Sequence, residues 1–239
     1  MIAKTKGIVL SSIKYQDHDL IVRCYTEKFG TISFLLKGVM KSKRGSKNVA
    51  FFQPLTQLQL EVKHQSNRSL HYIQEVKVYY IYETLHSNII KGSLGMFLAE
   101  VLSSSLKEEE PNENLFAFIE TAFQWLDQES HFANFHLLFL LNLSKHLGFY
   151  PDDYLKEERF FFNLQEGKFD KEQPKRGIAG TQVDLLKTLM DSDIQSINSV
   201  KLNASQRQEF LNTLLFYYEL HLEGFRKPKS LEVFNQLFH

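Results

Sequence analysis

Around Ile81 the apolar residues change their spacing from every second position to every third or fourth, which restricts the chain to a β-rich part followed by a helical part. Before the change, "GIVLSSI" (7–13), "DLIVRCYTE" (19–27) and "GTISFLLKGV" (30–39) are short, β-branched and aromatic, with polar or Gly-containing breaks between them. "PLTQLQLEVKH" (54–64) alternates most cleanly: Leu58, Leu60 and Val62 face one way, and Gln57, Gln59, Glu61 and Lys63 the other. "SLHYIQEVKVYY" (69–80) alternates less regularly, as a bulge would make it. Five strands without a helix of any length predict a small closed or nearly closed barrel.

After the change the segments are helical. They are 82–106, 111–127 with Pro111 and Asn112 at its start, and 131–149, which is apolar nearly all round and belongs at the centre of a bundle. "TQVDLLKTLMD" (181–191) opens on a Thr-x-x-Asp capping pattern. Ser205-x-x-Gln208 opens the last long helix, and "SLEVFNQLF" forms a short terminal one. Between Pro151 and Gly180, "RFFFNLQEGKFDKE" predicts a hairpin turning at Glu166-Gly167, with "QPKRGIAG" as a loop after it. The expected architecture is α+β: a barrel domain over 1–81 and a helical domain over 82–239, with an irregular insertion at 151–180.

The formal charge sums to zero, but only by cancellation. Residues 1–82 hold 13 Lys/Arg against 5 Asp/Glu, a balance of +8, and residues 83–239 hold 15 against 23, a balance of −8. The positive charge is densest in "LLKGVMKSKRGSKN" (35–48), where Lys37, Lys41, Lys43, Arg44 and Lys47 occur with no acidic residue. Cations separated by Gly and Ser suit a phosphodiester backbone, each contact releasing condensed counterions. About five such contacts predict a log K against log salt slope of about −4 on duplex and about −3 on single strands. In "LIVRCYT", Arg23 and Tyr25 share the outward face, which adds Arg23 to the expected DNA contacts. Tyr15, Phe51 and Phe52 fall in loops and are better assigned to packing than to bases.

Catalytic patterns do not form. Six residues separate Gly38 from Gly45, which breaks the spacing of a P-loop, and Pro54 interrupts the helix that would hold a phosphate. Asp17, His18 and Asp19 are adjacent in an extended turn, so their side chains diverge. There is no H-E-x-x-H pair and no G-x-S-x-G elbow. Cys24 is the only cysteine and sits mid-strand as a buried thiol, which excludes an internal disulfide and points to a reducing cytoplasm. "MIAKTKGIVLSS" lacks the apolar stretch of a secretion signal, and "LLFLLNL" (137–143) is far short of a membrane span. Neither enzyme nor membrane protein is expected.

The order of these features resembles the RecO family of bacterial recombination-mediator proteins. The resemblance rests on "GIVLSSIKYQDHDLIVRCYTEKFG", on Lys37-Gly38 before the basic loop, and on "FQPLTQLQLEV", "FLAEVL", "LSKHLGFYPD" and "GFRKPKSLEVF". It implies an OB-fold barrel followed by an α-helical domain. It also implies binding of single- and double-stranded DNA, annealing of complementary strands, and loading of RecA onto DNA coated by single-strand-binding protein, together with RecR and in some settings RecF. No cofactor or nucleotide hydrolysis is involved, and the protein would work in the cytoplasm at the nucleoid. Many members carry a four-cysteine zinc module after the position of "GFYPD". Residues 151–180 hold no cysteine, so no zinc module is expected, and the hairpin takes its place by packing Phe160 to Phe162. Family members also dock the acidic tail of single-strand-binding protein on the helical domain, and Phe225 with Arg226, Lys227 and Lys229 is the candidate for that contact here. The rival reading is a protein adaptor whose barrel and basic loop grip an acidic partner; a nuclease ranks third, since no carboxylate pair for magnesium can be placed.

Overall fold

The computed structural model describes residues 2–41, 49–64, 69–107, 110–152 and 160–238 of the 239-residue chain. Strands β1 (Ile2–Tyr15), β2 (Asp19–Thr26), β3 (Gly30–Leu36), β4 (Gln57–Lys63) and β5 (Leu70–Tyr80) close into a barrel in the order β1-β2-β3-β5-β4. All neighbours are antiparallel except β3 and β5. That order is an OB-fold's. Strand β1 serves two partners: Ile2 to Ile8 pair with β4, and Gly7 to Tyr15 with β2, with a register shift between Val9 and Ser11. At the changeover a side chain on Gly7 would put its Cβ 2.9 Å from Leu60 Cδ1, so a larger residue would have to displace that buried leucine. Val9, Val22, Cys24, Ile32, Phe34, Leu58, Leu60 and Val62 fill the interior, joined by Phe52 from a single 3-10 turn, Ala50–Phe52. The irregular alternation of β5 corresponds to register shifts opposite Gln57/Leu58 and Glu61/Val62.

Two compact units divide the chain: Met1–Gln128 with Pro228–Leu237, and Glu129–Lys227 with Phe238–His239. In the first, the barrel is accompanied by α1 (Ile89–Ser105), α2 (Glu113–Gln128) and α6 (Leu231–Leu237). The helical spacing that begins at Tyr82 does not start α1, because residues 83–85 are held by Asp127. Its carboxylate accepts the N–H groups of Glu83 (3.0 Å), Thr84 (2.8 Å) and Leu85 (2.8 Å). Helix α1 starts instead where Asn88 Oδ1 accepts the N–H groups of Ile90 and Lys91. Asn112 caps α2 as its sequence predicts, accepting from Leu115 N at 2.9 Å. Gln57 points out of the barrel but under α2, donating to Glu120 O (2.9 Å) and accepting from Gln124 (2.8 Å). Helix α6 stacks Phe234 on Phe97 of α1 with centroids 4.9 Å apart.

The second unit is built on α3 (Phe135–His146), buried on almost every side, with Tyr218 of α5 (Ala204–His221) donating to Leu140 O at 2.7 Å. A three-stranded sheet, β7 (Lys168–Asp170), β6 (Phe161–Asn163) and β8 (Gly177–Ala179), precedes α4 (Thr181–Met190). Gly167 takes φ +67° in the β6–β7 turn, where the hairpin was expected, but residues expected as loop supply β8. Phe160 to Phe162 do not pack together. Phe162 is buried against Phe169 and Tyr217, Phe161 beside it takes the other face and is only partly buried, and Phe160, which precedes the strand, is 73% exposed. Two caps also differ from expectation. Gly180, at φ +56°, precedes α4 without a side-chain cap. Asn203 and Gln206, rather than Ser205 and Gln208, form the reciprocal capping box of α5, both bonds at 2.9 Å.

Candidate nucleic-acid interface

The barrel's outward faces differ in how their lysines are answered. Across β1, β4 and β5 the registers align Lys4, Glu61 and Glu75 in one row and Lys6, Gln59 and Lys77 in the next. These cations are neutralised: Lys4 meets Glu61 at 3.9 Å, Lys77 meets Glu75 at 2.8 Å, and Lys6 meets Glu120 of α2 at 3.0 Å while lying over the Tyr79 ring. At the other end, Lys14, Lys37, Lys41 and Lys63 are exposed, and none makes an ion pair among the described residues. Lys63 is opposite Tyr72 in the β4–β5 register, and the Lys37 ammonium lies 5.8 Å from the Tyr72 ring centroid. The ends of β3 and β4 and the start of β5 thus bring two lysines to one aromatic ring.

The basic loop leaves β3 from a fixed point. Gly38 takes φ +62°, its N–H donates to Asp19 Oδ1 at 2.7 Å, and Met40 N–H donates to His18 O at 3.1 Å. Asp19 by its carboxylate and His18 by its backbone carbonyl therefore tie the loop's origin to the β1–β2 connection. Lys37 and Lys41 are exposed on either side of Gly38; Lys43, Arg44 and Lys47 lie outside the described residues. At the loop's return, Phe52 enters the core and Phe51 packs at its margin, as packing residues.

Arg23 does not join these cations. It faces outward, as alternation requires, but its guanidinium donates to Ser103 O (2.8 Å) and Leu106 O (2.7 Å), carbonyls at the C-terminal end of α1. A cation there satisfies helix-end acceptors and complements the helix dipole. Thr31 Oγ1 donates to the same Leu106 O at 3.0 Å, and Tyr25 OH to Asn112 O at 3.3 Å. Burial pushes the Tyr25 phenol up to about 12, so it stays a neutral donor. The outward side of β2 around Arg23 and Tyr25 is thus covered by the α1–α2 connection, and its correction from DNA contact to helix cap follows from those bonds.

The family model for the N-terminal part of Recombination protein O matches residues 1–82, and that for its C-terminal part residues 86–232. The chain belongs to the RecO family. It is 46% identical over 239 residues to the DNA repair protein RecO of Christiangramia forsetii, covering 100% of both chains. It is 41% identical over 235 residues to that of Flavobacterium psychrophilum, covering 98% of each. With the RecO of Porphyromonas gingivalis it shares 28% over 244 residues, covering 100% of both.

For a RecO family protein, the second predicted cluster is arranged differently from its sequence. Phe225 is buried against Tyr218, with centroids 5.3 Å apart, so its ring does not stand beside the cations as a docking surface. Arg226, Lys227 and Lys229 are exposed, and Lys227 meets Glu219 at 3.1 Å. Two members of the barrel site, Lys63 and Tyr72, were missed. Alternation already put Lys63 outward; the parallel pairing of β3 with β5, which brings Tyr72 to Lys37, leaves no mark in the sequence. Among the described residues no helix is long and apolar enough to cross a membrane.

Proposed function

We propose that this RecO family protein is a recombination mediator that binds single- and double-stranded DNA, anneals complementary strands, and with RecR helps RecA onto DNA coated by single-strand-binding protein. The observation that carries the DNA-binding step is the unanswered positive end of the barrel: Lys14, Lys37, Lys41 and Lys63 without carboxylate partners among the described residues, beside the loop bearing Lys43, Arg44 and Lys47. The mechanism is charge neutralisation. Two anionic strands repel; a surface that replaces their counterions lets complementary bases meet, and no covalent step is needed. The acidic remainder of the chain, with a balance of −8, serves protein partners rather than DNA. Among these, the acidic tail of single-strand-binding protein is assigned to Arg226, Lys227 and Lys229, with Phe225 supporting them from within. RecF acts in the same pathway, in the cytoplasm at the nucleoid.

Replacing Lys41, Lys43, Arg44 and Lys47 by Ala tests the reading. Binding weakens for every sequence alike, and the salt slope on single strands flattens by about 3. An unchanged slope removes the loop from the mechanism. Annealing assays with single-strand-binding protein, intact or lacking its last residues, test the partner: loss of stimulation with the truncated form is expected.

A further inference from the structure

We infer that Ile13, Ile21, Leu35 and Tyr72 form a base-contacting row that makes this end of the barrel favour single strands over duplex. The inference rests on the proposed DNA binding and assigns it a second chemical component. In the strand registers, Ile13 is opposite Ile21 on β2, and Ile21 is opposite Leu35 on β3. The parallel pair Phe34 with His71, continued by one residue, sets Tyr72 beside Leu35. Phe34 and His71 are buried inside the barrel, so Leu35 and Tyr72 face out. Ile13 is 64% exposed, and Ile21, Leu35 and Tyr72 are partly exposed.

An outward apolar row across three strands and onto a fourth is not explained by the core. The α1 carbonyls are seated on the next row along, through Arg23. What flanks the apolar row identifies its occupant. Lys37 lies over Tyr72 and Lys63 is opposite Tyr72, both without ion pairs among the described residues. On the neighbouring face, by contrast, lysines are matched by glutamates and no such apolar row occurs. Cations bordering an apolar strip fit a ligand with a charged spine and flat apolar faces. Those faces are stacked inside a duplex and are available only in an unpaired strand. Duplex therefore engages the cations alone, and single strand engages cations and row together. For a protein that brings strands together, this surface would hold bases exposed before pairing and lose that contact once they pair.

The test compares wild type with Ile13→Ser, Tyr72→Ala and the double variant by fluorescence anisotropy, using a thymidine oligonucleotide and a hairpin duplex at two salt concentrations. For the double variant, single-strand affinity falls about tenfold while its salt slope stays the same, and duplex affinity changes less than twofold. Tyr72→Phe, which keeps the ring, retains wild-type binding. Equal losses on both ligands, no loss on either, or loss with Tyr72→Phe each overturn the row. So does unchanged DNA binding with lost binding of RecR, which would give the row to a protein. Thermal melting of each variant confirms that it is folded. Failure of wild type to bind either oligonucleotide in dilute buffer would instead overturn the proposed function itself.

Discussion

Arg23 and Lys37 leave the same outward side of adjoining strands, yet only one is available to a ligand. Arg23 meets the carbonyls of Ser103 and Leu106; Lys37 meets a tyrosine ring and solvent. Arg23→Ala leaves the end of α1 without its cap, and two charge-assisted hydrogen bonds to backbone are together worth about 2–4 kcal/mol. Melting should fall accordingly, while the salt slope of DNA binding stays unchanged. Lys37→Ala should do the opposite: stability within about 0.5 kcal/mol of wild type, and a slope lower by about 0.7 on single strands. A lowered slope with intact stability in Arg23→Ala would return Arg23 to the DNA contacts. The sequence reveals that Arg23 points outward, since alternation fixes that. It does not reveal what lies above it, because the covering carbonyls are 80 and 83 positions away. The same limit separated Lys63 from Tyr72 and Lys37 until the strands were paired.

Elements were legible where one local pattern has one outcome. Leu58, Leu60 and Val62 are buried because strict alternation has only two phases and one of them faces the core. Helix starts were less legible, because neighbouring patterns compete. Asn203-x-x-Gln206 and Ser205-x-x-Gln208 both satisfy a capping rule, and only the first forms the box. At α1 the deciding group is again remote: Asp127, at the end of α2, holds residues 83–85 out of the helix. Lys91 completes the clasp, donating to Thr84 Oγ1 at 2.7 Å and to the Asp127 backbone carbonyl at 2.8 Å. Burial raises the Asp127 pKa, but the three N–H groups outweigh it and hold the carboxyl below its usual range. A depressed folded value means that its stabilisation is complete above the unfolded value of about 4 and is lost as pH falls through the folded one. Asp127→Asn should cost about 1–3 kcal/mol at pH 7 and much less near pH 2, measured by urea unfolding at both. An equal cost at the two pH values would show that shape, not charge, holds the clasp.

At the scale of the molecule, the chain returns to where it began. The second unit runs unbroken from Glu129 to Lys227, and only then does α6 come back to the unit that carries the barrel. Phe234, fully buried, stacks on Phe97, and Glu100 accepts the N–H of Ser230 at 3.1 Å. The barrel's unit is therefore finished by residues near the end of the sequence, so its stability depends on a segment outside the region of positive charge. Phe234→Ala removes a buried ring and should cost about 3–5 kcal/mol. Leu140→Ala, at the centre of α3, should cost about 2–5 kcal/mol in the other unit. Hydrogen exchange read by peptide separates the two: Phe234→Ala should lower protection in α1 and the barrel strands, and Leu140→Ala in α3 and α5. Protection lost in α3 and α5 on Phe234→Ala would assign α6 to the wrong unit. The distinction bears on function through temperature. If α6 supports the barrel, Phe234→Ala keeps its salt-dependent DNA binding in the cold and loses it on warming, before α3 and α5 open.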